Sequence, residues 1–195
     1  MKTDDGAAPN PYWRYCTLVI CKPAIRRVGD WVVGTASGHA LSDNLSGRVI
    51  YAMKVTAKIP MAAYDSFVRK YCPGKRPSVR HGDWRRQLGD AIYDFKHSPP
   101  RVRPSVHDEH HRKRDLSGEY ALISEHFWYF GRSGPTLPPS LLSLAQQRRG
   151  HRVHLNDPLR PAFLSWIARQ GRRGVRGLPA NARVPCRVLT PSICD

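Results

Sequence analysis

The stretch RVIYAMKVTAK, Arg48 to Lys58, decides the fold. Side chains alternate between the two faces of a strand. Val49, Tyr51, Met53 and Val55 then share one face, and Ile50, Ala52, Lys54 and Thr56 the other. Both faces are largely apolar, which predicts a central strand covered on both sides. Lys54 is the one residue out of keeping with that position.

Upstream lies IRRVGDWVVGTASGHA, Ile25 to Ala40. Gly29-Asp30 is a turn signal, and Trp31 to Thr35 reads as a strand. Gly34 within that apolar run predicts a bulge or a close approach of another chain segment. Before it, CTLVIC (Cys16 to Cys21) reads as a short buried strand ended by Lys22-Pro23. Residues 1–15 read as an extended lead-in, and Ser37 to Gly47 as a polar loop.

Downstream, Pro60 to Tyr71 reads as a helix. Pro60 suits its first turn, and Met61, Tyr64, Val68 and Tyr71 fall on one face. Residues 74–118 are basic, Pro-rich and weakly periodic, and read as a long loop or insertion. YALIS (Tyr120 to Ser124) and FWYF (Phe127 to Phe130) read as two strands or one bent strand. Gly131 to Pro139 is a turn region, and Leu141 to Arg149 a short helix. Asp157-Pro158 starts a helix, Leu159, Phe163, Trp166 and Ile167 form its apolar stripe, and Gly171 closes it. Residues 171–195 form a basic tail. Together these elements predict an α+β fold of short strands with peripheral helices. It is expected to be one domain over 1–195, with its core at about residues 8–170.

The 195-residue chain carries 32 Lys+Arg against 15 Asp+Glu, a formal net charge of +17. Such an excess fits a polyanionic partner, nucleic acid first, although a GC-rich genome also raises Arg everywhere. No run of about 18 apolar residues predicts a membrane span, and the start has no apolar leader, so a cytoplasmic location is expected. Five cysteines, an odd count without C-x-x-C spacing, read as reduced thiols. Cys16 and Cys21, on an apolar strand, read as inert core thiols.

Aromatics beside cations are the most informative constellation. Phe127 and Tyr129 share one strand face, Trp128 and Phe130 the other. One face packs in the core, while the other is placed to line a pocket stacking a base between rings. His126 precedes this run and Arg132 follows it. Trp31 and Trp84 carry the same choice between core and pocket. The adjacent Arg26-Arg27 suits bidentate contact with phosphate. His107, His110 and His111, within HDEHHRKRD, have crowded spacing in cationic surroundings. They do not make a metal site, and neither does His151-x-x-His154. No metal or cofactor is expected. No P-loop, G-x-G-x-x-G or G-x-S-x-G occurs.

Six strings in order resemble a known family: APNP (8–11), CTLVICKPAIRR (16–27), VGDWVVGTAS (28–37), RVIYAMKVT (48–56), GDAIYDF (89–95) and LISEHFWYFGRSGPTLP (122–138). They resemble the nucleotide modification associated domain family of the second type, which is linked by context to modified DNA bases in bacteria and phages. The resemblance implies candidate positions at Arg26, Gly29, Asp30, Trp31, Lys54, Asp90, Tyr93, Ser124 and Phe130. The family's pattern at 89–93 reads Gly-Asp-Asn-Ile-Tyr, and Ala91 stands where it has Asn. The order of strands and links is also similar to PUA-like barrels such as EVE, ASCH and YTH domains, and this likeness implies a small twisted β-barrel or a strongly bent mixed sheet with peripheral helices. That likeness points to a barrel mouth near Trp31, Ser37 and the aromatic strand.

The function expected from these readings is binding of nucleic acid or a nucleotide, DNA favoured, with recognition of a modified base. Arg26, Arg27, Arg132 and the arginines at 101–114 would contact phosphates. Trp31, Trp128 and Phe130 would stack the base. Asp30, Asp90 or Ser124 would read its polar edge. An alternative is an enzyme acting on a base or nucleotide, with Lys54, Asp30, Asp90 and His126 as acid–base groups. A third reading is a basic protein-interaction module of a phage-related system. The sequence sets no oligomeric state.

Overall fold

The computed structural model describes residues 9–19, 27–36, 47–105, 107–145 and 157–179. The fold is mixed α+β, with several small sheets and a few helices. Its frame is a long antiparallel ribbon made of two bent strands. One runs through β3 (Val49–Lys54) and β4 (Ala57–Pro60), the other through β7 (Tyr120–Ser124) and β8 (His126–Tyr129). Lys54 lies opposite His126 and Ala57 opposite Ile123, so the register passes through the bend without a slip.

Side-chain hydrogen bonds hold that bend. The Ser124 hydroxyl donates to the His126 carbonyl at 2.9 Å and accepts from the His126 N–H at 3.1 Å. The Thr56 hydroxyl donates to Ile123 O and accepts from Glu125 N. Two edges complete the sheets. β1 (Cys16–Val19) pairs with β7, and β2 (Trp31–Thr35) pairs with β3. β3 is therefore central between β2 and β8, as its two apolar faces predict. Among the described residues no strand pair closes these sheets into a barrel.

The predicted face alternation holds from Tyr51 onward. Tyr51, Met53, Val55, Phe127 and Tyr129 enter one core cluster, and Ala52, Trp128 and Phe130 enter another. At the start of β3 it fails: Val49 joins the second cluster and Ile50 the first. The cause is a register shift between Gly34 and Thr35, which face Tyr51 and Val49 and leave Ile50 unmatched. Gly34 also fits the predicted close approach, because a Cβ there would lie 2.0 Å from the Tyr51 ring.

Helix α1 (Met61–Tyr71) buries Met61, Tyr64, Asp65 and Val68. Tyr71 departs from the predicted stripe. It is 56% exposed and leans on Phe67, with ring centroids 5.2 Å apart. The segment 74–118 carries a 3-10 turn (Pro73–Lys75), helix α2 (Trp84–Gln87), a hairpin of β5 (Tyr93–Asp94) and β6 (Arg101–Val102), and helix α3 (Arg112–Leu116). Buried charges tie it to the sheets, as described below.

Near the C-terminus, a 3-10 turn (Asp157–Leu159) leads into helix α4 (Arg160–Ala168), which packs Phe163, Trp166 and Ile167 against Trp128 and Phe130. Gly171 follows at φ +96°, a conformation that suits glycine after a helix. The chain then returns as β9 (Gly174–Val175), parallel to β8, so the first part of the basic tail is docked on the sheet. Leu141 to Leu144 lie in a 3-10 stretch (Pro139–Leu144) where a helix was expected.

Candidate functional site

The register of the sheet brings three aromatic rings together. Trp31 is opposite Lys54, and Lys54 is opposite His126. His126 and Trp128 lie two apart on one face of β8. The Trp31 and His126 rings meet edge-on at 5.2 Å, the His126 and Trp128 rings lie 5.3 Å apart, and the two indoles stack at 6.2 Å and 26°. These rings form one wall of an open groove of about 450 Å³. The other wall comes from the end of α4 and the segment after it: Leu164, Ile167, Gly171, Arg172 and Arg173.

Trp128 is fixed from two sides. Its indole N–H donates to Gly171 O at 2.9 Å, and the Arg173 guanidinium sits 5.9 Å from its ring centroid, a cation–π contact. The two indoles touch each other in an offset stack. A base therefore has no room between the two indoles, and the groove offers it the ring surface that Trp31 and His126 leave uncovered. Trp31 is half-buried: it packs on the second core cluster and also lines the groove. Burial holds the His126 imidazole below its ordinary value of 6.5, and the charges of Arg173 and Lys54 add to this. His126 is thus neutral at pH 7, with cations close by.

Of the residues singled out from sequence, Trp31, His126 and Trp128 converge here, with Lys54 exposed beside them. Arg26 and Ser37 lie outside the described residues. Arg27 is exposed at the turn before β2, and its N–H donates to the Asp30 carboxylate at 2.8 Å. Asp30 therefore caps that turn, and its carbonyl accepts from Val55 N. Arg132 is exposed on a 3-10 turn (Gly131–Ser133) and does not line the groove.

Four candidates sit elsewhere for physical reasons. Phe130 is buried in the second core cluster against α4. Ser124 is fully buried, and its hydroxyl is spent on the strand bend. The Tyr93 hydroxyl donates to Asp115 at 2.8 Å, and Asp115 also meets His107. Burial pushes Asp115 up, but hydrogen bonds from His107 and Tyr93 more than offset this and leave it below its ordinary value.

Asp90 is 2% exposed and belongs to a buried relay. It accepts from the Thr17 hydroxyl at 2.5 Å and from the Tyr64 hydroxyl at 2.6 Å. Lys75, also fully buried, donates to Thr17 Oγ1, Asn10 O and Asn10 Oδ1 at 2.8, 2.8 and 3.0 Å. All three ammonium hydrogens are satisfied, and Thr17 links cation to carboxylate. Burial raises Asp90 and lowers Lys75, each opposed by the other's charge. Asp90 cannot read a base edge from this position. The neighbouring Cys16 thiol is pushed up to about 12 by burial, which keeps it protonated and unreactive.

The arginines at 101–114 are also partly engaged. Arg103 is buried, donating to Asp65, Ala91 O and Tyr93 O. Arg112 pairs with Glu109. Arg172 and Arg173, which do line the groove, were read only as tail. Their signal was present, two arginines directly after the helix-closing glycine. Their docking against β8 depends on contacts across more than 40 residues (Trp128 with Gly171) that no local pattern shows. Among the described residues no three His, Cys, Asp or Glu side chains converge as a metal site, and no helix is long and apolar enough to cross a membrane.

No curated protein and no solved structure matches the chain. The family model described as nucleotide modification associated domain 2 matches residues 1–185, nearly the whole length. The ordered strings from APNP to LISEHFWYFGRSGPTLP thus have their explanation, and the chain belongs to the nucleotide modification associated domain 2 family.

Proposed function

We propose that the groove of Trp31, His126, Trp128, Arg172 and Arg173 binds nucleic acid, DNA first, and receives a modified base. The observation that carries this reading is the convergence of aromatic surface with cations that are not committed to carboxylates. Among the described residues Arg172, Arg173 and Lys54 make no ion pair. Aromatic surface stacks any base, guanidinium groups fork onto phosphate, and His126 offers a polar edge for an exocyclic substituent. The family's association with nucleotide modification agrees with such a ligand.

Binding of modified and unmodified deoxynucleotides and short DNA, followed by tryptophan fluorescence at low salt, tests the reading. We expect quenching of Trp31 and a preference for a modified base. Absence of any binding at low salt overturns it. The pH dependence is a second readout. An anionic ligand favours protonated His126, so the bound form holds more protons than the free form. Affinity should therefore rise as pH falls from neutrality toward the lowered value of the free protein. His126→Ala should flatten that dependence.

A further inference from the structure

A second aromatic and basic groove, of about 440 Å³, lies among Trp13, Arg14, Tyr71, Gly74 and Arg86. Trp13 and Arg14 are consecutive non-glycine residues at φ +63° and +77°. They sit in the loop closed by the Asn10–Thr17 bridge. Glycine or asparagine takes such positions without strain, so a tryptophan and an arginine there mark a constrained local geometry, of the kind that clusters at binding sites.

The environment is built around those two side chains. The Trp13 indole lies against Gly74, where a Cβ would come within 2.2 Å of the ring, and the Arg85 guanidinium covers it at 5.2 Å. Its buried N–H has no partner among the described residues, and neither does Arg86 Nε. Tyr71, more than half exposed, offers a ring with the Lys70 ammonium 5.0 Å from its centroid. Arg14 is three-quarters exposed and reaches Glu125 at 3.1 Å. Glu125 directly precedes His126 of the first groove. An exposed pair of this kind is weak and exchanges easily for a phosphate.

We propose that this groove is a second station for a single-stranded nucleic acid whose target base occupies the Trp31 groove. The inference rests on that reading of the first groove. The strand's phosphates replace Glu125 on Arg14, and a neighbouring base stacks on Tyr71. Arg85 is paired with the Asp83 carboxylate, and the remaining cations around the groove, Lys70 and Arg86, suit a polyanion rather than a neutral small molecule.

The test compares a mononucleotide with a single-stranded oligonucleotide of about ten residues, within the usual site-size range. Tyr71→Ala and Arg14→Ala alter exposed side chains, and a thermal melt confirms that each variant folds. Each should weaken the oligonucleotide by about fivefold or more and leave the mononucleotide unchanged. Unchanged oligonucleotide affinity in both variants, or equal losses for both ligands, overturns the second station. If Trp31→Ala weakens both ligands while Tyr71→Ala and Arg14→Ala weaken neither, only this inference falls. If Trp31→Ala weakens nothing, the first reading falls, and this one with it.

Discussion

Asp90→Ala is expected to lower the unfolding free energy by about 3 kcal/mol, because it leaves a buried cation without its compensating charge and two buried hydroxyls without their acceptor. The carboxylate accepts short hydrogen bonds from Thr17 and Tyr64, and its charge compensates Lys75 through the Thr17 hydroxyl. Without it, a fully buried ammonium has no opposing charge in its relay. The double variant Asp90→Ala/Lys75→Met should recover part of the loss, because it removes the orphaned cation along with its partner. Urea denaturation measures all three proteins. A loss below about 1 kcal/mol in Asp90→Ala would show that the relay does not hold the fold. Unimpaired folding with selective loss of ligand would return Asp90 to the role first read from its sequence context.

Trp31→Ala carries the second large effect. Stacking on an aromatic ring contributes roughly 1–3 kcal/mol per base, so nucleotide affinity should fall by about fivefold to more than a hundredfold. The partly buried indole also packs on the second core cluster, so some stability is lost with it. Trp31→Phe separates the two contributions. It keeps an aromatic face and most of the packing, and should retain most of the binding. An Ala variant that folds and binds as wild type does would mean the groove is not where the base sits.

Alternation alone made the faces of the aromatic strand legible. Period-two reading put Trp128 and Phe130 on one face and Phe127 and Tyr129 on the other, and the two core clusters divide in that way. Trp31 was placed beside His126 only by registers through Lys54, which a single sequence does not give. The buried polar candidates lie away from the groove for one common reason. Asp90, Ser124 and Tyr93 sit in apolar strings, and a polar side chain there serves a buried hydrogen bond as readily as a ligand. Lys75 shows the converse. A lysine in a Pro-Gly-Lys turn looks solvated, yet Thr17 and Asn10, about 60 residues earlier, make it a core residue. Such long-range pairing leaves no local trace, and the same limit hid Arg172 and Arg173.

The most direct test of the groove is the salt dependence of single-stranded DNA binding by the wild type and by Arg172→Ala/Arg173→Ala. Each phosphate contact contributes about 0.7 to the slope of log affinity against log salt on a single strand. The double variant should bind more weakly at low salt, with a slope shallower by about 1.4. An unchanged slope would place the phosphates elsewhere on this basic surface and contradict the assignment of the groove.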